Sequence, residues 1–452
     1  MMTLSEARRI VNGRIMGQDV AFSGVSIDTR TLQSGDLYVA ISGKRFDGHD
    51  FVAQAQEAGA VAAIVGREVD SVLPCLIVED TLSALGVLGA EWRQRLGVSL
   101  IGVTGSNGKT TVKEIVAAVL KVNAPVLFTR GNLNNDIGVP LTLLRLRPKH
   151  RYAVIEMGAN HAGEIAYTSG LAKPDVSVVT NAGSAHIEGF GSLEGVARSK
   201  GELVESLRSD GIAVLNADDR FFRFWEQLAG NRRIISFGLA PEASVRATAL
   251  NFETSPGGFK TCFDLVYEGR AHKMTLVLAG RHNVCNALAA AAACIAIGID
   301  MSQVAQGLAS ARPVAGRMEP LIGAHGGVIV NDTYNANPSS LQAALDVLIQ
   351  LGGEPWLALG AFMELGADSA EFHENMGKEA KRLGVVRLYA IGPNTERAVQ
   401  AFGEGAAFFS HQGDLIKALS RDIHRDVALL VKGSRSQHME AVVEALAAAG
   451  EQ

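Results

Sequence analysis

The sequence is poor in cysteine, carries little net charge and has no long apolar run. Its 452 residues include 4 cysteines, at spacings that fit neither a zinc site nor a small disulfide framework. The formal net charge of −5 provides no basic excess for nucleic acid. The N-terminus lacks the apolar core of a signal peptide, and no run is long enough to span a bilayer. These absences predict a cytoplasmic chain with reduced cysteines, no nucleic-acid partner and no membrane insertion.

The composition is that of an ordinary soluble globular protein. Hydrophobic residues make up 47% of the chain and charged residues 20%, and the length suits about three domains of typical size. We expect domains at 1–84, 85–313 and 314–452. Because the overall charge is small, an anionic substrate would have to be held by local positive charges.

The order of apolar runs and helix-compatible segments predicts an α/β fold. Short strands and turns in the first 84 residues indicate a small α/β domain. Strands then alternate with helices in a P-loop-type, doubly wound and mostly parallel sheet, with an antiparallel appendage between about 244 and 278. After the linker signals near Pro313, a second alternating series predicts a C-terminal Rossmann-like domain.

The stretch "VSLIGVTGSNGKTTVKE", Val98 to Glu114, carries the strongest chemical signal. A buried strand runs into a glycine-rich turn that opens a helix, which is where backbone N–H groups and the helix N-terminus bind phosphate. Lys109 can meet the β/γ-phosphates and Thr110 can hold Mg²⁺. The spacing departs from the common Walker pattern, because Val103 stands where that pattern has glycine. The alternative is a glycine-rich turn with a solvated lysine.

Polar residues also follow other predicted strands. Ligands in open α/β sheets bind beyond the carboxyl ends of the strands, so Glu156, Asn181, Asp332 and Lys432 mark candidate positions on two domains. A glutamate at such a point is either a helix cap or a metal ligand, and near a phosphate loop we favour the metal ligand. For Lys200 the sequence alone favours a solvated helix cation.

Three polar clusters have either a capping or a binding role. They are "GNLNNDIGVP", "AGRHNVCNA" and "NDTYNANPSS". Asparagine, aspartate and serine at such positions cap helices by default, and Pro338 suits the first turn of a helix. The sequence leaves both roles open.

Taken together, these stretches resemble the Mur ligase family over nearly the whole chain. The resemblance rests on "TGSNGKTT", "GNLNNDIGVP", "EMGANHAGEI", "TNAGSAHIEGF", "SKGE", "GRHNVCNA", "DTYNANPSS" and "KGSRS", in family order. The N-terminal stretches "VSIDTR" and "ISGKRFDGHDF" resemble a UDP-substrate domain. They separate the chain from the family member that adds alanine to unsubstituted muramic acid.

The resemblance implies an ATP-dependent amide ligase of peptidoglycan synthesis, acting in the cytoplasm as a monomer. Its implied partners are UDP-N-acetylmuramoyl-tripeptide and D-alanyl-D-alanine. A substrate carboxylate would attack the γ-phosphate of ATP, and the dipeptide amine would capture the acyl phosphate. Two anions must meet in such a reaction, so Mg²⁺ and cationic side chains must offset their repulsion. The implied D-alanyl-D-alanine site draws on the C-terminal domain.

The resemblance also assigns site residues. The implied catalytic residues are Lys109, Glu156, His186 and Lys200. The implied Mg²⁺ ligands are Thr110, Glu156, His186 and Lys200, the last as a carbamylated lysine. The implied ATP-binding residues are Gly105, Ser106, Asn107, Gly108, Lys109, Thr110, Thr111, Asn283, Arg317 and Asp332. The implied substrate-binding residues are Ser26, Thr29, Arg30, Lys44, Arg45, Asn134, Asn135, Asn335 and Asn337.

One position departs from the family pattern. Where members often have aspartate in a "GDMxELG" stretch, this chain has Ala361 in "GAFMELG", so no role of that aspartate carries over. The alternative within the family is the ligase that adds the third amino acid, but "YNANPSS" stands where that ligase has a "DNPR"-type stretch. The alternative of another class is a nucleotide-operated switch that forms no bond.

Overall fold

The computed structural model describes residues 1–43, 46–183, 187–255 and 258–448. The described chain is built around three sheets, each with helices packed on it, and an added β-ribbon. None of the helices in these ranges has the length and apolar character needed to cross a membrane. The α/β prediction is confirmed.

The N-terminal part forms a small mixed sheet. Its elements are β1 (Met2–Thr3), α1 (Leu4–Val11), β2 (Arg14–Met16), β3 (Ala21–Phe22), β4 (Gly24–Ser26), β5 (Asp36–Val39), a 3₁₀ turn (Gly48–Phe51), α2 (Val52–Glu57), β6 (Ala62–Val65) and β7 (Cys75–Ile77). The strand order is β2-β7-β6-β5-β4, parallel except for the β2–β7 pair. Strands β1 and β3 pair separately.

The central part forms the largest sheet of the described chain. Its elements are α3 (Thr81–Leu96), β8 (Ser99–Thr104), α4 (Lys109–Lys121), β9 (Val126–Phe128), α5 (Gly138–Leu144), β10 (Tyr152–Glu156), α6 (Glu164–Ala172), β11 (Val176–Val179), α7 (Ile187–Phe190), α8 (Leu193–Glu205), β12 (Ile212–Asn216), α9 (Phe222–Ala229), β13 (Arg233–Gly238), β14 (Val245–Ser255), β15 (Gly258–Tyr267), β16 (Arg270–Leu276), α10 (Arg281–Ala296) and α11 (Met301–Ser310). The strand order is β16-β15-β14-β13-β12-β11-β8-β10-β9. Strands β14 to β16 are antiparallel to one another, as the alternating sequence predicts.

The C-terminal part forms a third, mostly parallel sheet. Its elements are β17 (Glu319–Ile322), β18 (Val328–Asp332), α12 (Pro338–Gln350), β19 (Glu354–Gly360), a 3₁₀ turn (Gly366–Asp368), α13 (Ser369–Arg382), β20 (Arg387–Ile391), α14 (Thr395–Phe402), β21 (Ala406–Phe409), α15 (Gln412–Asp422), β22 (Val427–Lys432), a 3₁₀ turn (Arg435–Gln437) and α16 (Glu440–Leu446). The strand order is β17-β18-β22-β19-β20-β21, and only the β17–β18 pair is antiparallel.

The apolar run of β8 is long because both of its faces are covered. Ile101 and Val103 pack in one core with α4 and the buried alanines of α10. Leu100 faces the opposite way and packs with α3, α5 and residues of the N-terminal sheet. Successive residues of a strand point to opposite faces, so a strand between two helical layers is apolar throughout. The predicted boundary between residues 84 and 85 lies within α3, and the domain limits stay predictions.

Parallel pairing brings the polar strand ends to common edges. Glu156 pairs in register with Val103, and Val179 pairs with Thr104. In the third sheet Asp332 pairs with Lys432. The loops that follow these strands therefore converge where ligands bind in open α/β sheets.

Candidate functional site

The loop between β8 and α4 has the geometry of a phosphate-binding loop. Gly105 has φ +145° and Gly108 has φ +82°, backbone conformations that side chains rarely adopt. A Cβ added at Gly105 would lie 1.9 Å from Thr180 Oγ1, and one added at Gly108 would lie 2.3 Å from Asn286 Oδ1. Both positions therefore require glycine, for space as well as for conformation.

Lys109 is half-buried and folds back over this loop. Its Nζ donates hydrogen bonds to Gly105 O at 2.6 Å and to Ser106 O at 3.2 Å. Burial lowers the pKa of Lys109; the charge of Arg317 lowers it further and that of Glu156 opposes the shift. The alternative of a freely solvated lysine is wrong, because two carbonyl groups of the loop bind the ammonium.

Glu156 presents a carboxylate oxygen for which the described residues provide no partner. Its side chain is buried, and Oε1 accepts a hydrogen bond from Asn134 Nδ2 at 2.9 Å. Within the described ranges, Oε2 is buried without any hydrogen bond. Helix α6 begins eight residues later, at Glu164, with Gly163 as its N-cap, so the helix-cap alternative is wrong. A buried and unsatisfied carboxylate oxygen is costly unless a cation binds it.

Lys200 lies inside the protein and not on its surface. It is 2% exposed, and its Nζ lies 5.0 Å from the centroid of the Phe190 ring. Within the described part of the chain, the ammonium forms neither a hydrogen bond nor an ion pair. Burial and then the charge of Lys109 lower the pKa of Lys200 to about 7. The solvated-cation interpretation is therefore wrong, while metal ligation by Lys200 stays a prediction.

The third sheet contributes a buried ion pair beside an arginine. Lys432 Nζ lies 2.5 Å from Asp332 Oδ2 and also donates to Asn335 O at 3.2 Å. The guanidinium of Arg317 stacks on Tyr334, with Cζ 4.2 Å from the ring centroid. Its Nε is buried and, among the described residues, has no hydrogen-bond partner. This unsatisfied donor suits an anionic ligand.

A cleft of about 430 Å³ lies between the phosphate loop and the third sheet. It contains all but one of the predicted nucleotide residues, together with two of the predicted substrate residues. Those lining it are Ser106, Asn107, Gly108, Lys109, Thr110, Thr111, Asn283, Arg317, Asp332, Asn335 and Asn337. The exception is Gly105, whose carbonyl holds Lys109.

The phosphate loop touches the N-terminus of α12 directly. Asn107 Nδ2 donates to Ser339 Oγ at 3.0 Å, and Asn337 Nδ2 donates to Asn107 Oδ1 at 2.7 Å. Asn337 also caps α12 in a reciprocal pair with Ser340. The capping interpretation of this cluster is confirmed, and the same residue lines the cleft.

The other two polar clusters differ in what they do. Asn135 is exposed, and its Oδ1 accepts the N–H of Gly138, the first residue of α5, although the N-cap of that helix is Ile137. Asn283 lies inside α10, where its Nδ2 donates to Ala279 O and its Oδ1 accepts from Asn286. The capping interpretation of Asn283 is wrong, because the N-cap is Gly280.

A second cavity, of about 380 Å³, adjoins the cleft. Asn335 and Asn337 line both spaces. Glu364, Ser434 and Arg435 also line the second cavity. The Cζ atom of Arg435 lies 5.7 Å from the centroid of the Tyr334 ring. Tyr334 therefore contacts one arginine of each space.

The predicted residues of the N-terminal sheet lie apart from the cleft. Ser26 and Thr29 lie at and just beyond the end of β4, and exposed Arg30 pairs with Asp28 at 2.6 Å. None of these lines the cleft. Lys44, Arg45 and His186 lie outside the described residues. In the described ranges no three His, Cys, Asp or Glu side chains lie close enough to form a metal site.

The residues assigned by the resemblance do not include several that line the cleft. They are Thr180, Asn181, Asn216, Phe237, His282, Cys285, Asn286 and Lys432. Several of them end strands, and Asn181 Oδ1 accepts the N–H of Asn107 at 2.9 Å. The rule that ligands bind beyond strand ends had already marked Asn181 and Lys432 as candidate positions, and applied to β12 it would also have added Asn216.

Family profiles match the chain along most of its length. The profile described as Mur ligase family, catalytic domain matches residues 21–125. The Mur ligase middle domain matches 103–294, and the Mur ligase, glutamate ligase domain matches 316–435.

Curated relatives agree over the full chain. The UDP-N-acetylmuramoyl-tripeptide–D-alanyl-D-alanine ligase of Escherichia coli (strain K12) is 43% identical over 447 residues, covering 98% of each chain. A crystal structure of MurF from Acinetobacter baumannii superposes with a TM-score of 0.91 at 35% identity, covering 98% of each chain. MurF ligase from Thermotoga maritima in complex with ADP superposes with a TM-score of 0.83 at 30% identity, covering 93% of this chain and 96% of that one. On this evidence the chain belongs to the Mur ligase family.

Proposed function

We propose that this chain uses ATP to join D-alanyl-D-alanine to UDP-N-acetylmuramoyl-tripeptide in peptidoglycan synthesis. The observation that carries the proposal is the cleft, in which a phosphate loop faces Arg317 and the Asp332–Lys432 pair across a gap between two sheets. The relatives are named for this reaction, and the Thermotoga maritima structure contains ADP. A cytoplasmic location belongs to the proposal, because ATP is the phosphoryl donor.

The reaction consists of a phosphoryl transfer followed by amide formation. A carboxylate oxygen of the tripeptide attacks the γ-phosphorus of ATP, and ADP leaves with the electrons of the broken P–O bond. The amine of D-alanyl-D-alanine then attacks the acyl carbon; inorganic phosphate leaves and the nitrogen loses a proton. Both steps bring anions together, so cationic side chains at the transferring group lower the barrier most.

Lys109 is placed to provide that charge. In the described structure its ammonium is satisfied by loop carbonyls, and a bound triphosphate would compete for it. The charge of Arg317 also acts on it, and this residue brings a second positive charge from the segment that precedes β17. Backbone N–H groups at the start of α4 add partial positive charge.

The residues of the site fit Mg²⁺. Mg²⁺ prefers oxygen ligands and is held by one or two carboxylates together with substrate phosphates, and Glu156 Oε2 is a buried oxygen without a partner in the described structure. We assign Thr110 and Glu156 to one Mg²⁺, and His186 with carbamylated Lys200 to a second. The ions would offset the charge of the transferring phosphoryl group.

The environment of Lys200 supports carbamylation. Only a neutral amine reacts with CO₂, giving a carbamate and releasing a proton, and a pKa of about 7 leaves much of Lys200 neutral at physiological pH. The ammonium would repel Mg²⁺, whereas the carbamate offers oxygen ligands. Lys200→Ala should lose almost all activity and regain part of it with a short-chain carboxylic acid. Full activity of Lys200→Ala, or an unmodified lysine by mass spectrometry under CO₂-replete, Mg²⁺-bound conditions, would contradict carbamylation.

The second cavity is our candidate for the dipeptide. Arg435 offers a guanidinium for the dipeptide carboxylate. Because Asn335 and Asn337 line both spaces, we assign the amine end of the dipeptide to the side that adjoins the cleft. The UDP-sugar end is assigned to the N-terminal sheet with Ser26, Thr29, Arg30, Lys44 and Arg45, and Asn134 and Asn135 approach the reacting groups.

One experiment tests the function. Purified protein is incubated with ATP, Mg²⁺ and UDP-N-acetylmuramoyl-tripeptide, with and without D-alanyl-D-alanine, and ADP and product mass are followed. The proposal predicts ADP release that depends on the dipeptide, and a product heavier by the dipeptide less one water. Dipeptide-independent ADP release without a new product would favour the nucleotide-operated switch. A panel of acceptors would show whether the third residue is diaminopimelate or lysine.

A further inference from the structure

Lys113 is a buried lysine with no place in the mechanism described so far. It lies on α4, one turn after Lys109, and is 1% exposed. It is not among the residues that line the cleft. A buried ammonium is costly unless it is paired and hydrogen-bonded, so its partners indicate what the residue does.

The partners of Lys113 lie on two elements. Its Nζ donates to Thr129 O at 2.8 Å and lies 2.8 Å from Glu114 Oε1. The ring of Phe128 lies beneath it, with the centroid 5.6 Å from Nζ. The hydrogen bond therefore joins the phosphate-loop helix to the residue that follows β9.

Thr129 in turn holds the backbone of Glu156. Thr129 is fully buried, its N–H donates to Val154 O at 3.1 Å, and its Oγ1 accepts the N–H of Glu156 at 3.0 Å. Its carbonyl is the group bound by Lys113. Thr129 thus accepts a hydrogen bond from the Lys113 ammonium with its main-chain carbonyl and one from the Glu156 N–H with its side-chain hydroxyl.

The loop that begins after Thr129 returns to the same carboxylate. Asn134 Nδ2 donates to Glu156 Oε1, and Asn134 O accepts the N–H of Gly158 at 2.9 Å. Glu156 is therefore fixed through its backbone and through one carboxylate oxygen, while its other oxygen has no hydrogen-bond partner among the residues that the structure describes. Both attachments start from the segment that Lys113 anchors.

We propose that Lys113 is a positioning residue for Glu156, acting through the carbonyl of Thr129 and the Asn134 loop. It fixes the carboxylate of Glu156 relative to the phosphate loop, and this carboxylate is our proposed ligand for the cation of Mg·ATP. The expected effect of Lys113 on ligation rests on the proposed function. The contacts that carry the inference are independent of that function.

The test compares two lysine variants of the same helix. Lys113→Met keeps an unbranched side chain that is one heavy atom shorter, and it removes the ammonium. Lys121→Met is the matched control, because exposed Lys121 stacks on the same Phe128 ring at 4.1 Å from its centroid without the bond to Thr129. For both we would measure Mg²⁺-dependent binding of a non-hydrolysable ATP analogue by calorimetry, and hydrogen exchange of ligand-free protein.

We expect Lys113→Met to raise the Mg²⁺ concentration for half-maximal analogue binding by about 10-fold, as loss of an outer partner of a metal ligand typically does. Exchange should rise at residues 129–136 and at the amide of Glu156. The apparent KM for D-alanyl-D-alanine should stay near the wild-type value. A Mg²⁺ dependence and exchange pattern equal to those of Lys121→Met would overturn the proposal, whatever happens to the melting temperature.

If Lys113→Met does not fold, a second pair of variants tests the same hydrogen-bonded connection. Thr129→Ser keeps the hydroxyl that accepts the Glu156 N–H, and Thr129→Val removes it. The proposal predicts a raised Mg²⁺ requirement for the valine variant and an unchanged one for the serine variant; equal requirements would overturn it. Failure of wild-type protein to join the dipeptide would refute the proposed function, while analogue binding and hydrogen exchange would still decide the role of Lys113.

Discussion

The buried ion pair between Asp332 and Lys432 gives a prediction in which stability and activity separate. The two side chains are 13% and 1% exposed, and they face each other from paired strands of the third sheet. In Asp332→Asn the amide oxygen can still accept the Met318 N–H that Asp332 Oδ1 now accepts at 3.2 Å. The substitution therefore removes the charge while keeping size and backbone contact.

The expected loss in the free energy of unfolding follows from the Lys432 ammonium, which stays buried without its partner carboxylate. Removing one partner of a buried pair typically costs 3–5 kcal/mol, roughly, because the other charge stays buried. Lys432 keeps its bond to Asn335 O, so we expect about 3 kcal/mol. Replacing both, as Asp332→Asn with Lys432→Met, removes the uncompensated ammonium. The double variant should unfold with a free energy within about 1 kcal/mol of the wild type, or higher.

The assay is urea unfolding of wild type, both single variants and the double variant. Unfolding is followed by far-UV circular dichroism and by tryptophan fluorescence, to which Trp356, on the strand next to that of Lys432, contributes with the two other tryptophans. Ligation is measured on the same preparations. We expect the double variant to regain stability and to stay inactive, because both residues line the cleft. Two results would refute the reasoning from buried charge. One is an Asp332→Asn variant as stable as the wild type, and the other is a double variant less stable than Asp332→Asn.

Three further predictions concern the phosphate loop and its surroundings. Lys109→Ala should lower kcat by at least ~10²-fold, as loss of an electrostatic stabiliser typically does, and near-normal kcat in a folded variant would contradict its role. Gly108→Ala should lose affinity for ATP analogues, because the added Cβ meets Asn286 Oδ1 at φ +82°; Gly97→Ala, in open space with φ +57°, is a control for backbone strain alone. In CO₂-free buffer, where Lys200 is unmodified, stability should rise between pH 7 and about 10, because its lowered pKa makes the unfolded chain bind more protons there. Lys200→Met should lose that part of the pH dependence, and an unchanged profile would count against burial of a free amine.

The order of the elements and the chemistry of the loop could be predicted from the amino-acid sequence. Both are local properties: the alternation of apolar runs with helical segments, and the glycines, lysine and threonines after β8. The antiparallel appendage was equally visible, because strands β14 and β15 have alternating sequences. Sequence resemblance further brought together the residues of one cleft from stretches far apart in the chain.

Tertiary structure alone decided what surrounds each charged group. Lys200 has the sequence context of a surface helix residue, yet packing excludes it from solvent and lowers its pKa to about 7. Asn337 caps a helix, as its position predicts, and also bonds to Asn107 230 residues away. Hydrogen bonding and desolvation depend on neighbours that the chain brings together only on folding, whereas periodicity depends on adjacent residues. For that reason the free oxygen of Glu156 and the anchor at Lys113 became apparent only in three dimensions.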